Sequence, residues 1–234
     1  MVLGVAGLPA EPEDMMTARD LRLAESTGGR LHLLNISTAG SVEQLRRAKE
    51  RGASVTADVS PQNFTLSDDE LRQFDTHYKV KPPLRSAEHL HALVEGLKDG
   101  TIDVIASSHA PRAAEKKFQD VNAAAFGIAG LETTLGLVIT KLIRAGHLSW
   151  TAALEKLTIN PARVLGLSQR GSLGIGDHAD VTIIDPDIEW TVDVRQFRSK
   201  SANTPFGGWR LFGRAETVIV GGQVKFRAAE AVGA

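Results

Sequence analysis

The chain has 234 residues, 42% of them hydrophobic and 24% charged, with a formal net charge of −1. That is the composition of an ordinary globular protein, and without a Lys/Arg run it gives nucleic-acid or anionic-membrane binding no electrostatic support. Cysteine is absent, which excludes disulfides and thiolate metal sites, and no apolar run reaches the roughly 18 residues of a membrane helix. Residues 1–9 lack the basic flank and length of a signal peptide, so a cytoplasmic location is expected.

The first two-thirds alternates helical and extended patterns. Met15 to Ser26 reads as a helix stopped by Gly28-Gly29. A short buried strand, 31–37, follows. Ser41 to Arg51 is the next helix, with Ser41 as N-cap, a stripe of Val42, Leu45 and Ala48, and Gly52 at its end. Strand 54–60, an extended segment at 78–81, a helix from Ala87 to Leu97 and strand 103–109 complete the pattern. Near-continuous apolar strands separated by helices indicate a parallel α/β sheet covered on both faces.

From Gly130 the character changes. Leu131 to Ala145 and Thr151 to Leu157 read as helices, and beyond Gly171 strands dominate. Two late strands flank Gly221-Gly222, a hairpin signal. The expected division is an α/β body over 1–168 and a small β-rich domain over 169–234.

The strand-end motifs carry a family resemblance. Leu31-His-Leu-Leu-Asn-Ile-Ser-Thr-Ala-Gly40 resembles the dihydroorotase pattern His-x-x-His-Val-Ser-Thr-Ala. Thr56-Ala-Asp-Val-Ser-Pro-Gln-Asn63 is similar to Thr-Ala-Glu-Val-Thr-Pro-His-His, and Tyr78-Lys-Val-Lys-Pro-Pro-Leu-Arg85 to Tyr-Lys-Val-Asn-Pro-Pro-Leu-Arg. Gly100-Thr-Ile-Asp-Val-Ile-Ala-Ser-Ser-His-Ala-Pro111 resembles the same run with Thr-Asp-His in place of Ser-Ser-His. Phe126 to Glu132, Asn160 to Arg163, Gly171 to Asp180 and Ser201 to Phe206 fit in order and spacing. The resemblance spans essentially the whole chain.

It implies an α/β fold: the C-terminal half (strands five to eight) of a (β/α)8 TIM-type barrel, with a small β-sandwich appendage. It also implies pyrimidine biosynthesis, where dihydroorotases, cyclic amidohydrolases, interconvert carbamoyl-aspartate and dihydroorotate with zinc at the C-terminal strand ends. In this chain the family's metal-ligand positions are occupied by Asn35, Gln62 and Ser108. A neutral amide is a weak ligand and a serine hydroxyl a poor base, so each change removes a required property. No catalytic residue is expected to be intact: Ser108 and His109 are vestiges of the Asp-His pair. Lys81, His109, Phe126 and Gly127 fall at positions that contact substrate in the family, with Lys81 replacing an Asn. No cofactor is therefore expected.

Other residues carry blander readings. His32 is expected to be a hydrogen-bonded core histidine and Glu132 a capping or pairing carboxylate. His89 and His91 point to different helix faces, while His77, His147 and His178 lie in loops or at helix ends.

The resemblance further implies that the front half of the barrel is absent, leaving two open sheet edges that need cover. The expected cover is a second copy or a partner chain; the resemblance suggests aspartate transcarbamoylase, which inactive homologues hold in a larger complex. The leading reading is thus a non-catalytic, structural dihydroorotase homologue. The alternatives are half of a functional dihydroorotase completed by another chain, and a metal-free amidohydrolase, for which no nucleophile–base pair is visible.

Overall fold

The computed structural model describes residues 4–228. Helix α1 (Glu11–Thr27) carries Pro12 in its first turn, which the fixed φ of proline suits, and ends at Gly28 in the left-handed conformation, φ 67°. Strand β1 (Leu31–Leu33) leads to α2 (Ala39–Glu50). The N-cap of α2 is Thr38 rather than Ser41: Thr38 is extended, and its hydroxyl accepts from the Ser41 amide. Ser41 lies inside the first turn, buried, where its hydroxyl meets that of Thr17 on α1.

Strand β2 (Val55–Val59), the single-turn α3 (Pro61–Thr65), α4 (Ala87–Lys98), strand β3 (Val104–Ile105) and the short α5 (Ala114–Lys117) follow. The three strands form one parallel sheet in the order β1-β2-β3, with Leu31 opposite Val55 and Asp58 opposite Val104. Leu45, Ala48, Ala57, Val59, Leu93 and Ile102 are fully or almost fully buried around it. The apolar stripe on α2 and the central strand β2 thus form the core their patterns indicated.

The expected strand at 78–81 does not form. Thr76–Tyr78 is a 3-10 turn, β3 pairs directly with β2, and Pro82-Pro83 offers no amide to a ladder. Strand 103–109 is also shorter than expected: β3 ends at Ile105, and Ser108 turns into the left-handed region at φ 46°. Beyond that turn His109 makes only an isolated parallel bridge to Ile128.

Helix α6 (Leu131–Val138) continues as a π-helical turn over Ile139–Ile143, then come α7 (Trp150–Leu157) and α8 (Ile159–Val164). Strands β4 (Val181–Thr191), β5 (Arg210–Val220) and β6 (Gln223–Arg227) form an antiparallel sheet in sequence order. Gly221 and Gly222, both at positive φ, make the β5–β6 turn as their pairing predicts. Where a two-sheet sandwich was expected, the described residues form one three-stranded sheet.

The chain divides into two compact units. The first comprises residues up to Thr134 together with Asp193–Gly207; the second comprises Leu135–Val192 and residues from Gly208 onward. In the second unit Ile139, Leu142 and Leu211 are buried, and the Phe212 amide donates to Thr140 Oγ1 at 2.8 Å. No helix among the described residues is long and apolar enough to cross a membrane.

Candidate functional site

The first unit gathers the residues that the motifs single out at the ends of its parallel strands. Asn35 follows β1 in the left-handed conformation, φ 52°. It is held there by Asp58, the buried β2 carboxylate, whose Oδ1 accepts the Asn35 amide at 2.7 Å. Asp58 Oδ2 meets His32 Nε2 at 3.0 Å, and His32 Nδ1 meets Thr56 Oγ1 at 2.7 Å. Both ring nitrogens of His32 are therefore engaged, the structural role expected for it. The Asn35 side-chain Oδ1 is buried with no hydrogen-bond partner among the described residues. Asn35 and Lys81 both line a cavity of about 540 Å³.

A second cavity, of about 270 Å³, collects Gln62, Lys81, Ser108, Arg112, Phe126 and Gly127. Gln62 stands in the first turn of α3, 2% exposed, where the Ser60-Pro61 break ends β2. Ser108 sits on the kink after β3. Gly127 has φ 117°, and a Cβ added there would lie 2.5 Å from the Ala110 carbonyl oxygen, so only glycine fits. The Gly127 carbonyl accepts from Asn203 Nδ2, whose Oδ1 accepts the Arg112 amide. Phe126 lies under Lys79 Nζ, 4.5 Å from the ring centroid, and its carbonyl accepts from Arg112 Nε.

His109 lines neither cavity; its Nδ1 accepts from the Gly130 and Leu131 amides at 3.2 and 3.3 Å. That role keeps the Nδ1 lone pair on the backbone amides and places the neutral ring's proton on Nε2. Glu132 accepts from the Ser199 amide and hydroxyl. Burial raises its pKa, but the Ser199 hydrogen bonds outweigh that and hold the carboxyl below the usual carboxylate range.

The site thus joins five of the singled-out residues in one cavity and places Asn35 in a neighbouring one that shares Lys81. Two contributors, Arg112 and Asn203, were not singled out as site residues in the sequence. Asn203 lies within the Ser201-to-Phe206 run and was findable there; Arg112, one residue past the Ser-Ser-His-Ala-Pro motif, was not.

Zinc binds through imidazole nitrogen, thiolate or carboxylate. Two amides and a hydroxyl stand at the strand ends, and no group of three or more His, Asp or Glu side chains among the described residues could hold a metal ion. The donor set at these strand ends, among the described residues, does not fit zinc.

A parallel sheet with polar residues gathered at its C-terminal strand ends is the arrangement in which α/β enzymes place their sites. Residues 11–225 match the model of the amidohydrolase family, and the chain belongs to that family. It is 52% identical over 223 residues to a protein named dihydroorotase in Pelotomaculum thermopropionicum, covering 95% of this chain and 52% of that protein. To a dihydroorotase of Thermoanaerobacter sp. it is 46% identical over 226 residues, covering 97% and 52%. The solved L-hydantoinase (dihydropyrimidinase) of Arthrobacter aurescens superposes with a TM-score of 0.89 at 34% identity, covering 94% of this chain and 49% of that one. The chain spans about half the length of the curated relatives it matches.

Proposed function

We propose that this chain is a dihydroorotase-like member of pyrimidine biosynthesis that does not catalyse through its own residues and acts as a structural or assembly subunit. The observation that carries the reading is the donor chemistry at Asn35, Gln62 and Ser108. A metal-activated amidohydrolase draws on two separate contributions of several kcal/mol each, the Lewis acid and the hydroxide source. Two amides and a hydroxyl support neither, and no nucleophile–base pair replaces them: the His109 Nδ1 lone pair is taken up by backbone amides.

Cover for the sheet supports the assembly role. β1 and β3 are the edges of the parallel sheet, and Leu34, next to β1, is 73% exposed. Edge strands beside apolar side chains favour pairing with another chain. A second copy, or a chain carrying the other half of the barrel, would provide that cover, and aspartate transcarbamoylase is a candidate companion. A half-enzyme completed in this way would still lack the donors that this half has to supply.

The test is a dihydroorotate conversion assay on the purified chain with added zinc, run beside elemental analysis and light scattering. No turnover, no bound zinc and a dimer at low micromolar concentration are expected. Zinc-dependent turnover would overturn the non-catalytic reading, and a monomer with one cooperative unfolding transition would overturn the assembly reading.

A further inference from the structure

Away from the strand-end cavities, α1 and α2 enclose an open pocket of about 300 Å³. Its polar lining is Arg22 and Glu25 on α1, Gln44 and Arg47 on α2, and Arg51 at the α2 C-cap. α1 ends just before β1 begins, and Arg51 stands just before β2. The pocket therefore lies toward the N-terminal ends of the strands, on the side opposite Asn35, Gln62 and Ser108. Three arginines against one carboxylate leave its lining with two positive charges in excess. That outweighs the two helix C-termini, at about half a negative charge each. Glu25 fixes two of the guanidiniums side by side. Its Oε1 accepts from Arg51 Nε at 2.9 Å and from Arg51 Nη2, and its Oε2 lies 3.5 Å from Arg22 Nη1. Arg47 gives its Nε to Glu43 Oε1 at 2.6 Å, and its terminal N–H groups have no partner among the described residues. Gln44 Oε1 is buried, also with no hydrogen-bond partner among the described residues. A buried acceptor without a donor is costly, and native proteins rarely leave one unless a ligand or water satisfies it.

The arginines require an anion and Gln44 Oε1 requires a donor, so one ligand has to be both. Carboxylates and sulfate are deprotonated near neutral pH and offer no donor, whereas inorganic phosphate keeps at least one P–O–H. We infer that this pocket binds inorganic phosphate. The P–O–H donates to Gln44 Oε1, and the remaining oxygens accept from Arg22, Arg47 and Arg51, whose guanidinium forks match phosphate oxygens in pairs. A phosphate monoester fits less well, because near neutral pH most of it is the dianion, with no P–O–H left.

The test titrates the full chain calorimetrically with sodium phosphate, sodium sulfate and glycerol 3-phosphate at matched ionic strength. One saturable phosphate site is expected, with the other two anions about tenfold weaker, the worth of one hydrogen bond to a charged group. Arg22→Gln, at a side chain 82% exposed and so harmless to the fold, should weaken phosphate about tenfold. Gln44→Met keeps the volume and the cations but removes the acceptor. Phosphate should then fall to the affinity of sulfate, while sulfate binds as before. Lys81→Gln, in the strand-end cavities, should change nothing. Absence of a saturable phosphate site, equal affinity for phosphate and sulfate, or an unaffected Arg22→Gln variant overturns the inference. So does loss of phosphate binding in Lys81→Gln, which would put the anion among the strand ends instead. None of these outcomes bears on whether the chain holds zinc or converts dihydroorotate.

Discussion

The two units solve the same folding problem by opposite means. In the first, the strands are three, five and two residues long, and side chains reinforce the sparse ladder. Glu13 takes the Ser37 and Thr38 amides, their hydroxyls and the Arg85 guanidinium. Arg85 in turn donates to Ser37 Oγ and the Leu8 carbonyl. Asp103 Oδ2 accepts the Ala57 amide, and Asp58 accepts that of Asn35. In the second unit, β4 and β5 each run for 11 residues, and Ile183, Val220 and Val224 stay nearly half exposed. One unit has little ladder and a well-buried polar network; the other has ample ladder and apolar residues short of cover. Backbone pairing and side-chain burial can therefore stand in for each other within one chain, because each orders the same backbone groups.

The sharpest way to break this contrast is to cut into the first unit's core. Leu45→Ala, at a fully buried position on α2, should cost about 4 kcal/mol in urea unfolding. A loss under about 1 kcal/mol would mean that the core is looser than its burial implies.

The next effect in size depends on pH. Lys117 is 2% exposed, and burial, followed by the nearby Lys79 charge, lowers its pKa from 10.5 to about 8. The folded chain sheds this proton near pH 8 while the unfolded chain keeps it until 10.5, so between those limits the unfolded state binds more protons. Stability should therefore rise with pH across that window, by roughly 3 kcal/mol in total, with the penalty fully present below pH 8. Lys117→Met should remove the slope; unfolding curves collected across the window would show whether it does.

Glu13→Gln leaves Arg85 without its carboxylate and weakens the acceptor of two amides. A loss of about 2 kcal/mol is expected in the same denaturation experiment. Val224→Ala, on the exposed β6, should change stability by less than about 0.5 kcal/mol. A loss comparable to that of Leu45→Ala would show that a second chain covers this face in solution.

Periodicity and punctuation made much of the fold legible. The α2 stripe, the Gly28 stop, the β5–β6 turn and the near-continuous apolar pattern of strand β2 all follow from local chemistry. What misled was local as well: Tyr78 to Lys81 has strand-like composition, but its fate depends on Pro82-Pro83 and on β3 taking the place beside β2. Ser41 has cap chemistry, yet Thr38 has the extended backbone that a cap requires. At the site, the motifs located Gln62, Lys81, Ser108, Phe126 and Gly127, which do meet in one cavity. They gave no hint that the His109 ring would turn to the Gly130 amide, nor that Arg112 would join, because both depend on how 109–130 folds back on itself.

The Gly221-Gly222 turn also sets a clock. Val220 pairs with Gln223 across two residues, whereas Asp58 must find Val104 after α3 and α4 have been laid down. Closing the hairpin takes on the order of microseconds, while distant parallel pairing carries a large loop-closure entropy and is slow. Newly released chain should therefore spend its first moments with the late hairpin made and the parallel sheet still open. In pulse-labelled hydrogen exchange, amides of 218–226 should gain protection before those of 55–59. During that interval the apolar strand β2 is accessible to neighbouring molecules, so refolding yield should fall as chain concentration rises.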